Sequence, residues 1–142
     1  MTRVLDRRQL DADVAAGIGT SDHVTATLMI DVDDLDGDGA RSATSAENRI
    51  LDSVSWVIMS TVRTTDVVYR HGPSTFCVLL PNTSDEQARS VADRIRLNVQ
   101  KMPVPDSCRS TVSVGVATGA GGDLATTIRR AGAELASGVE RA

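Results

Sequence analysis

Apolar residues recur along this chain with two periods, and the changes of period divide it into elements. Leu5, Leu10, Val14 and Ile18 stand three to five residues apart, which predicts a helix over 4–17 ended by Gly17 and Gly19. Val24–Ile30 is an apolar run with Thr at alternate places, a buried strand ending at Asp31. Residues 31–43 are acidic and Gly-rich and predict a loop. A hydroxyl at Thr44 or Ser45 caps the next helix, with Glu47 and Asn48 in its first turn. Its buried stripe is Ile50, Leu51, Val54, Val57, Ile58 and Thr61. Val67–Arg70 predicts a strand, Gly72-Pro73-Ser74 a tight turn, and Phe76–Leu80 the returning strand, closed by Pro81-Asn82. Asn82–Ser84 caps a third helix over 85–100, with Ala88, Val91, Ala92, Ile95 and Val99 inward. Pro103 and Pro105 break the chain, Ser110–Ala117 alternates as a strand, and Gly119–Gly122 reads as a flexible turn. Leu124, Ile128, Ala131 and Leu135 mark a last helix. Strands alternating with helices, plus one hairpin, predict an α/β sandwich with a mixed sheet.

A chain of 142 residues fits one domain with one core. With one Trp, one Tyr and one Phe, that core must be aliphatic. The net charge of −4, without a basic stripe, argues against a nucleic-acid partner. No apolar run reaches the ~18 residues a membrane span needs, and the charged start (Arg3, Asp6, Arg7, Arg8) has no signal-peptide apolar region. Cys77 and Cys108 lack metal-ligand spacing and read as reduced thiols, so a cytoplasmic location is expected. His23 and His71 are separated, are expected to be exposed, and receive no role.

In this order the motifs resemble those of the GGDEF domain, the family of diguanylate cyclases. Leu5-Asp-Arg-Arg8 is similar to the family's L-N-R-R, and Leu28-Met-Ile-Asp-Val-Asp-Asp-Leu35 to its L-x-I-D-I-D-x-F. Tyr69-Arg-His-Gly-Pro-Ser-Thr-Phe76 falls where Y/A-R-x-G-G-D-E-F belongs. Thr111-Val-Ser-Val-Gly-Val-Ala117 is similar to T-x-S-I-G-V-A, and Arg130-Ala131 with Leu135 to R-A-D-x-A-L. The resemblance covers nearly the whole chain. It implies a palm-like mixed sheet, related to nucleotidyl cyclases, in a single domain over 1–142. That domain lacks the family's extreme N-terminal turn and its closing G-R-N strand, as expected of a piece of a larger regulator or a short remnant.

The resemblance also implies what is lost. Asp31 matches the family's first-strand metal ligand, but only as a vestige. Gly72-Pro73 replaces the glycine pair, Ser74 stands where the turn's metal-binding acid belongs, and Thr75 where the catalytic Glu belongs. The family's triphosphate-binding Lys falls on Asp36, its guanine-reading Asn and Asp on Gly39 and Asn48, and its late-helix Lys on Val139. Mg²⁺ is clamped by carboxylate and phosphate oxygens, and one Asp is a poor remnant. An inactive cyclase homologue with no metal and no cofactor is therefore expected.

Another site of the family survives in the sequence. Arg63-Thr-Thr-Asp66 precedes Gly72 by the five-residue spacer Val67–His71, as the family's product-binding R-x-x-D does. Arg94, in Ala92-Asp-Arg-Ile-Arg96, falls on a second arginine of that site. A guanidinium stacks on guanine or forks to its N7/O6 edge, and a carboxylate accepts from N1–H and N2–H. A cyclic di-GMP receptor is therefore expected through Arg63, Asp66 and Arg94, with a stacked ligand linking protomers as one outcome. The alternative is a dimerisation or protein-interaction module without ligand, in which Asp66 caps a helix end, Arg63 answers the helix dipole and Arg94 is a surface charge. A weaker alternative is calcium: Asp34-Leu-Asp-Gly-Asp-Gly39 spells the opening of a calcium loop, but Arg41 and Ser45 occupy positions that should be apolar and Glu.

Overall fold

The computed structural model describes residues 4–16, 24–33, 45–102, 111–120 and 124–141. Its N-terminal boundary is set by one aspartate. Asp6 is extended (φ −89°, ψ 175°), and its carboxylate accepts the Gln9 amide at 2.8 Å. Helix α1 therefore runs Arg7–Ala15, and Val4–Leu5 forms a short strand β1, parallel to the strand of Val67–Gly72 (Val4 opposite Val68, Leu5 opposite Tyr69). This corrects the helix expected over 4–17. The apolar spacing includes Leu5, but the Asp6 side chain claims a helix-end N–H and so places the boundary after it.

The remaining elements are β2 (Val24–Val32), α2 (Ser45–Thr61), β3 (Val67–Gly72), β4 (Thr75–Pro81), α3 (Asp85–Lys101), β5 (Val112–Ala120) and α4 (Leu124–Arg141). The sheet order is β1-β3-β4-β2-β5, with only the β1–β3 pair parallel. The mixed α/β architecture is the expected one. Thr44, the side chains of Ser45 and Glu47, the chain breaks at Gly17, Gly19, Pro103 and Pro105, and both His23 and Cys108 lie outside the described residues. Among the described residues no helix is long and apolar enough to cross a membrane.

Strand alternation sorts the core into two layers. Leu28 and Ile30 of β2 and Val78 of β4 point to one face, where they meet Val54 and Ile58 of α2 and Ile95 and Val99 of α3. Met29, Cys77 and Leu79 point to the other, against Leu10 of α1 and Leu124 and Ala131 of α4. With both faces covered, β2 is buried almost throughout, which is why it reads as a continuous apolar run. Helix α3 begins on a reciprocal cap: Ser84 Oγ accepts the Gln87 amide and Gln87 Oε1 accepts the Ser84 amide.

Two glycines let α4 lie directly on β5. A Cβ at Gly115 would stand 2.1 Å from the Ala131 carbonyl oxygen, and one at Gly119 would stand 2.5 Å from Thr127 Oγ1. Gly119 thus belongs to the strand, opposite Thr25, and not to the flexible turn its neighbours suggested. The outer edge of β5 is covered by side chains of α4. Glu134 accepts the Val116 amide, and Arg130 donates to the Thr118 carbonyl at 3.0 Å. Arg89 of α3 grips Glu134 with two guanidinium nitrogens, at 2.7 and 3.3 Å. Burial works against the Glu134 charge. The bonds from Arg89 and the Val116 amide outweigh it and hold the carboxyl below its usual range.

Candidate functional site

Strands β3 and β4 close in a two-residue turn, Pro73-Ser74, with Gly72 opposite Thr75 and a bulge between Arg70 and Gly72. Arg70 braces the turn. Its guanidinium donates to the Gly72 and Pro73 carbonyls, at 2.8 and 2.5 Å, and lies 5.4 Å from the centre of the Phe76 ring. Asp31 faces Thr75 across the ladder. Ser74 Oγ donates to Asp31 Oδ1 at 3.1 Å, and the Val32 amide donates to the Ser74 carbonyl at 2.9 Å. The structure therefore brings together Asp31 and the turn position expected to share an ion with it, and the group it brings there is a hydroxyl. Among the described residues no three acidic, His or Cys side chains are grouped to hold a metal ion. Asn48 is exposed in the first turn of α2. Asp36, Gly39, the Asp34–Gly39 loop with Arg41, and the side chains of Ser45 and Val139 lie outside the described residues.

The second constellation sits where α2 gives way to β3. The Asp66 amide donates to the Arg63 carbonyl at 3.0 Å, closing a turn. In return Asp66 Oδ2 accepts the Arg63 amide at 2.8 Å, and Oδ1 accepts from the Arg63 guanidinium at 3.3 Å. That guanidinium also donates to Thr83 Oγ1 at 2.7 Å and to the Pro81 carbonyl at 3.2 Å. Thr83 reaches it because Asn82 adopts a left-handed backbone (φ 53°), a conformation Asn tolerates better than most residues. Arg94 comes from α3, is exposed, and engages no partner among the described residues.

Arg63, Asp66 and Arg94 line one cavity of about 270 Å³, with Thr83, Gln87 and Ser90. The three residues expected to act together thus converge from the turn between α2 and β3 and from helix α3. Their internal arrangement differs from the expectation that Arg63 and Asp66 both face a ligand. Asp66 is buried, at 3% exposure, and both of its oxygens are committed to Arg63, whose own side chain is 59% exposed. Asp66 holds the arginine from below, and Arg63 and Arg94 present the accessible charge. Thr83, Gln87 and Ser90 were missed from sequence; the one local signal was Asn82, a residue suited to a turn of that hand.

Elsewhere His71 is half-buried and not exposed as expected. Burial, and secondly the charge of Arg7, lower its pKa below the ordinary histidine value. Arg7 also donates to the His71 carbonyl at 3.1 Å. Burial pushes the Cys77 thiol up to about 12, so it stays protonated at neutral pH.

Residues 1–139 match the family described as "Diguanylate cyclase, GGDEF domain". The chain belongs to the GGDEF family. Diguanylate cyclase DgcM of Escherichia coli is 32% identical over 122 residues, which are 82% of this chain and 29% of that protein. The chain thus spans less than a third of that relative's length. Among solved structures, the active GGEEF domain of a diguanylate cyclase from Vibrio cholerae superposes with a TM-score of 0.85 at 21% identity. That superposition covers 98% of this chain and 93% of the other. The GGDEF domain of DgcB from Caulobacter crescentus, solved in complex with c-di-GMP, gives a TM-score of 0.81 at 18% identity over 96% and 83% of the two chains. At these identities the structural likeness shows the fold alone.

Proposed function

We propose that this GGDEF domain makes no cyclic di-GMP and instead binds it, in the cytoplasm, through Arg63, Asp66 and Arg94. The convergence of these three residues on one cavity carries the proposal. Two guanidinium groups are exposed there, suited to a phosphate or to the N7/O6 edge of guanine. Asp66 orients one of them, and reaches guanine N1–H only if the ligand displaces Arg63. The loss of synthesis rests on the hairpin: at the turn Asp31 is answered by the Ser74 hydroxyl, and Thr75 supplies no general base at neutral pH. That a related fold from Caulobacter crescentus was solved with c-di-GMP is in keeping with this.

One observation favours the second reading, a domain that pairs with itself or with another protein and needs no nucleotide. Arg63 and Asp66 satisfy each other, as residues closing a helix end do. Calorimetric titration with cyclic di-GMP separates the two. Heat that weakens in Arg94→Ala, a variant that removes no bond among the described residues, supports the receptor. No heat at tens of micromolar protein leaves the protein-interaction role.

A further inference from the structure

Trp56, the chain's only tryptophan, is the most exposed large apolar side chain among the described residues, at 61%. One exposed apolar residue is unremarkable by itself; its placement is informative. It lies on α2, one helical turn before Ser60, on the side that leads to Arg63. Helix α3 runs the opposite way and sets Arg94, Asn98 and Lys101 along its facing side, at i, i+4 and i+7. Midway, Asn98 donates its side-chain amide to Thr61 Oγ1 at 3.2 Å. Thr61 lines both the Arg63–Arg94 cavity and a second cavity of about 450 Å³, which Trp56, Val57 and Met102 floor and Lys101 borders. The two cavities adjoin at Thr61 along the groove between α2 and α3. From Arg94 to Lys101 it extends roughly 10 Å along the helix axis.

The charge of the groove selects its occupant. Arg63, Arg94 and Lys101 are its cations, and its single acid, Asp66, is already paired to Arg63. A cyclic dinucleotide carries two planar bases on opposite sides of a ring with two phosphodiesters, and the Arg63–Arg94 end accommodates one base. We infer that Trp56 stacks on the second guanine of the same cyclic di-GMP, with Lys101 beside the facing phosphodiester. This inference rests on the receptor reading and names the other half of its site. Base–aromatic stacking is tolerant of base identity, so the Trp56 end supplies affinity and the Arg63 end supplies the choice of base.

Because Trp56 is the only indole, its fluorescence reports this contact directly. Cyclic di-GMP would be titrated into the intact chain, with absorbance corrected against free tryptophan amide and binding measured in parallel by equilibrium dialysis. The expected result is a quench that saturates at the dialysis midpoint. Trp56→Ala should bind about tenfold more weakly and Trp56→Phe within about threefold of the parent. Lys101→Ala should lose about threefold, and Leu97→Ala, outside the groove, nothing. Ligand retained in dialysis with unchanged fluorescence and a fully binding Trp56→Ala overturns the Trp56 contact and leaves the receptor standing. Absence of binding in dialysis overturns both.

Discussion

The hairpin turn and the α2–β3 cavity flank the same strand, β3, and they differ in what the sequence retains. At the turn the backbone is kept: the register puts Asp31 opposite Thr75 and Ser74 against Asp31, in a turn braced by Arg70. The charge a metal clamp needs is absent from Ser74 and Thr75. At the cavity the charge is kept and held in place, with Arg63 fixed by Asp66, Thr83 and the Pro81 carbonyl. The difference teaches that a reactive turn contributes little to its own geometry. Register there is set by buried Phe76, Val78 and Leu80, so the loop keeps its shape whatever side chains the turn carries. At the cavity the same charges close a helix end, so their arrangement is held by the fold itself.

Four measurements test this contrast. The largest effect is expected at the hairpin. The parent should form no cyclic di-GMP from GTP with Mg²⁺, and the double variant Ser74→Asp with Thr75→Glu should form none either, as read by chromatography. The double variant should instead gain a Mg²⁺-dependent rise in Tm, because two carboxylates side by side favour a bound cation and binding stabilises the folded state. Product from the double variant would show that only two groups had been lost.

Next, Asp66→Ala should cost about 1–3 kcal/mol, since it strips a buried partner from the Arg63 amide and frees the guanidinium. Thermal denaturation and cyclic di-GMP titration should fall together; a stable variant with intact binding would separate Asp66 from the cavity altogether. Arg63→Ala should weaken binding by about 1–3 kcal/mol, the size of one bidentate guanine contact. Its effect on stability should also reach about 1–3 kcal/mol, because the buried Asp66 carboxylate loses the guanidinium that pairs with it. The smallest change in stability, within about 0.5 kcal/mol, is expected for Arg94→Ala, with a loss of binding smaller than that of Arg63→Ala. Equal losses of stability for Arg63 and Arg94 variants would make both ordinary surface charges.

Much of this was legible because it rests on local periodicity. The alternation of β2 and β4, the turn signal Gly72-Pro73, and the hydroxyl and amide that cap α3 all act within a few residues. The meeting of Arg63, Asp66 and Arg94 was legible only through motif spacing, and their pairing was not. Whether Asp66 faces a ligand or its own arginine depends on the Pro81 carbonyl at the end of β4 and on Thr83, which follows the left-handed Asn82. The bond between Ser74 and Asp31 joins residues 43 apart, and no local pattern encodes it. Gly119 misled for a related reason. It looks like turn punctuation, but it is a strand residue whose missing Cβ makes room for Thr127.

The cover on β5 has a consequence for the behaviour of the protein in solution. An exposed sheet edge is a template on which other chains add strands and begin to aggregate. Here the Val116 amide and Thr118 carbonyl are already occupied by Glu134 and Arg130, and Arg89 ties the cover to the opposite helix layer. That protection is electrostatic and so depends on acidity. Glu134 titrates below its ordinary value, so its contribution is complete above the unfolded-state pKa and drains away as pH falls through the folded one. In strong acid the Val116 amide should therefore lose its cover, and the edge should become more open to added strands.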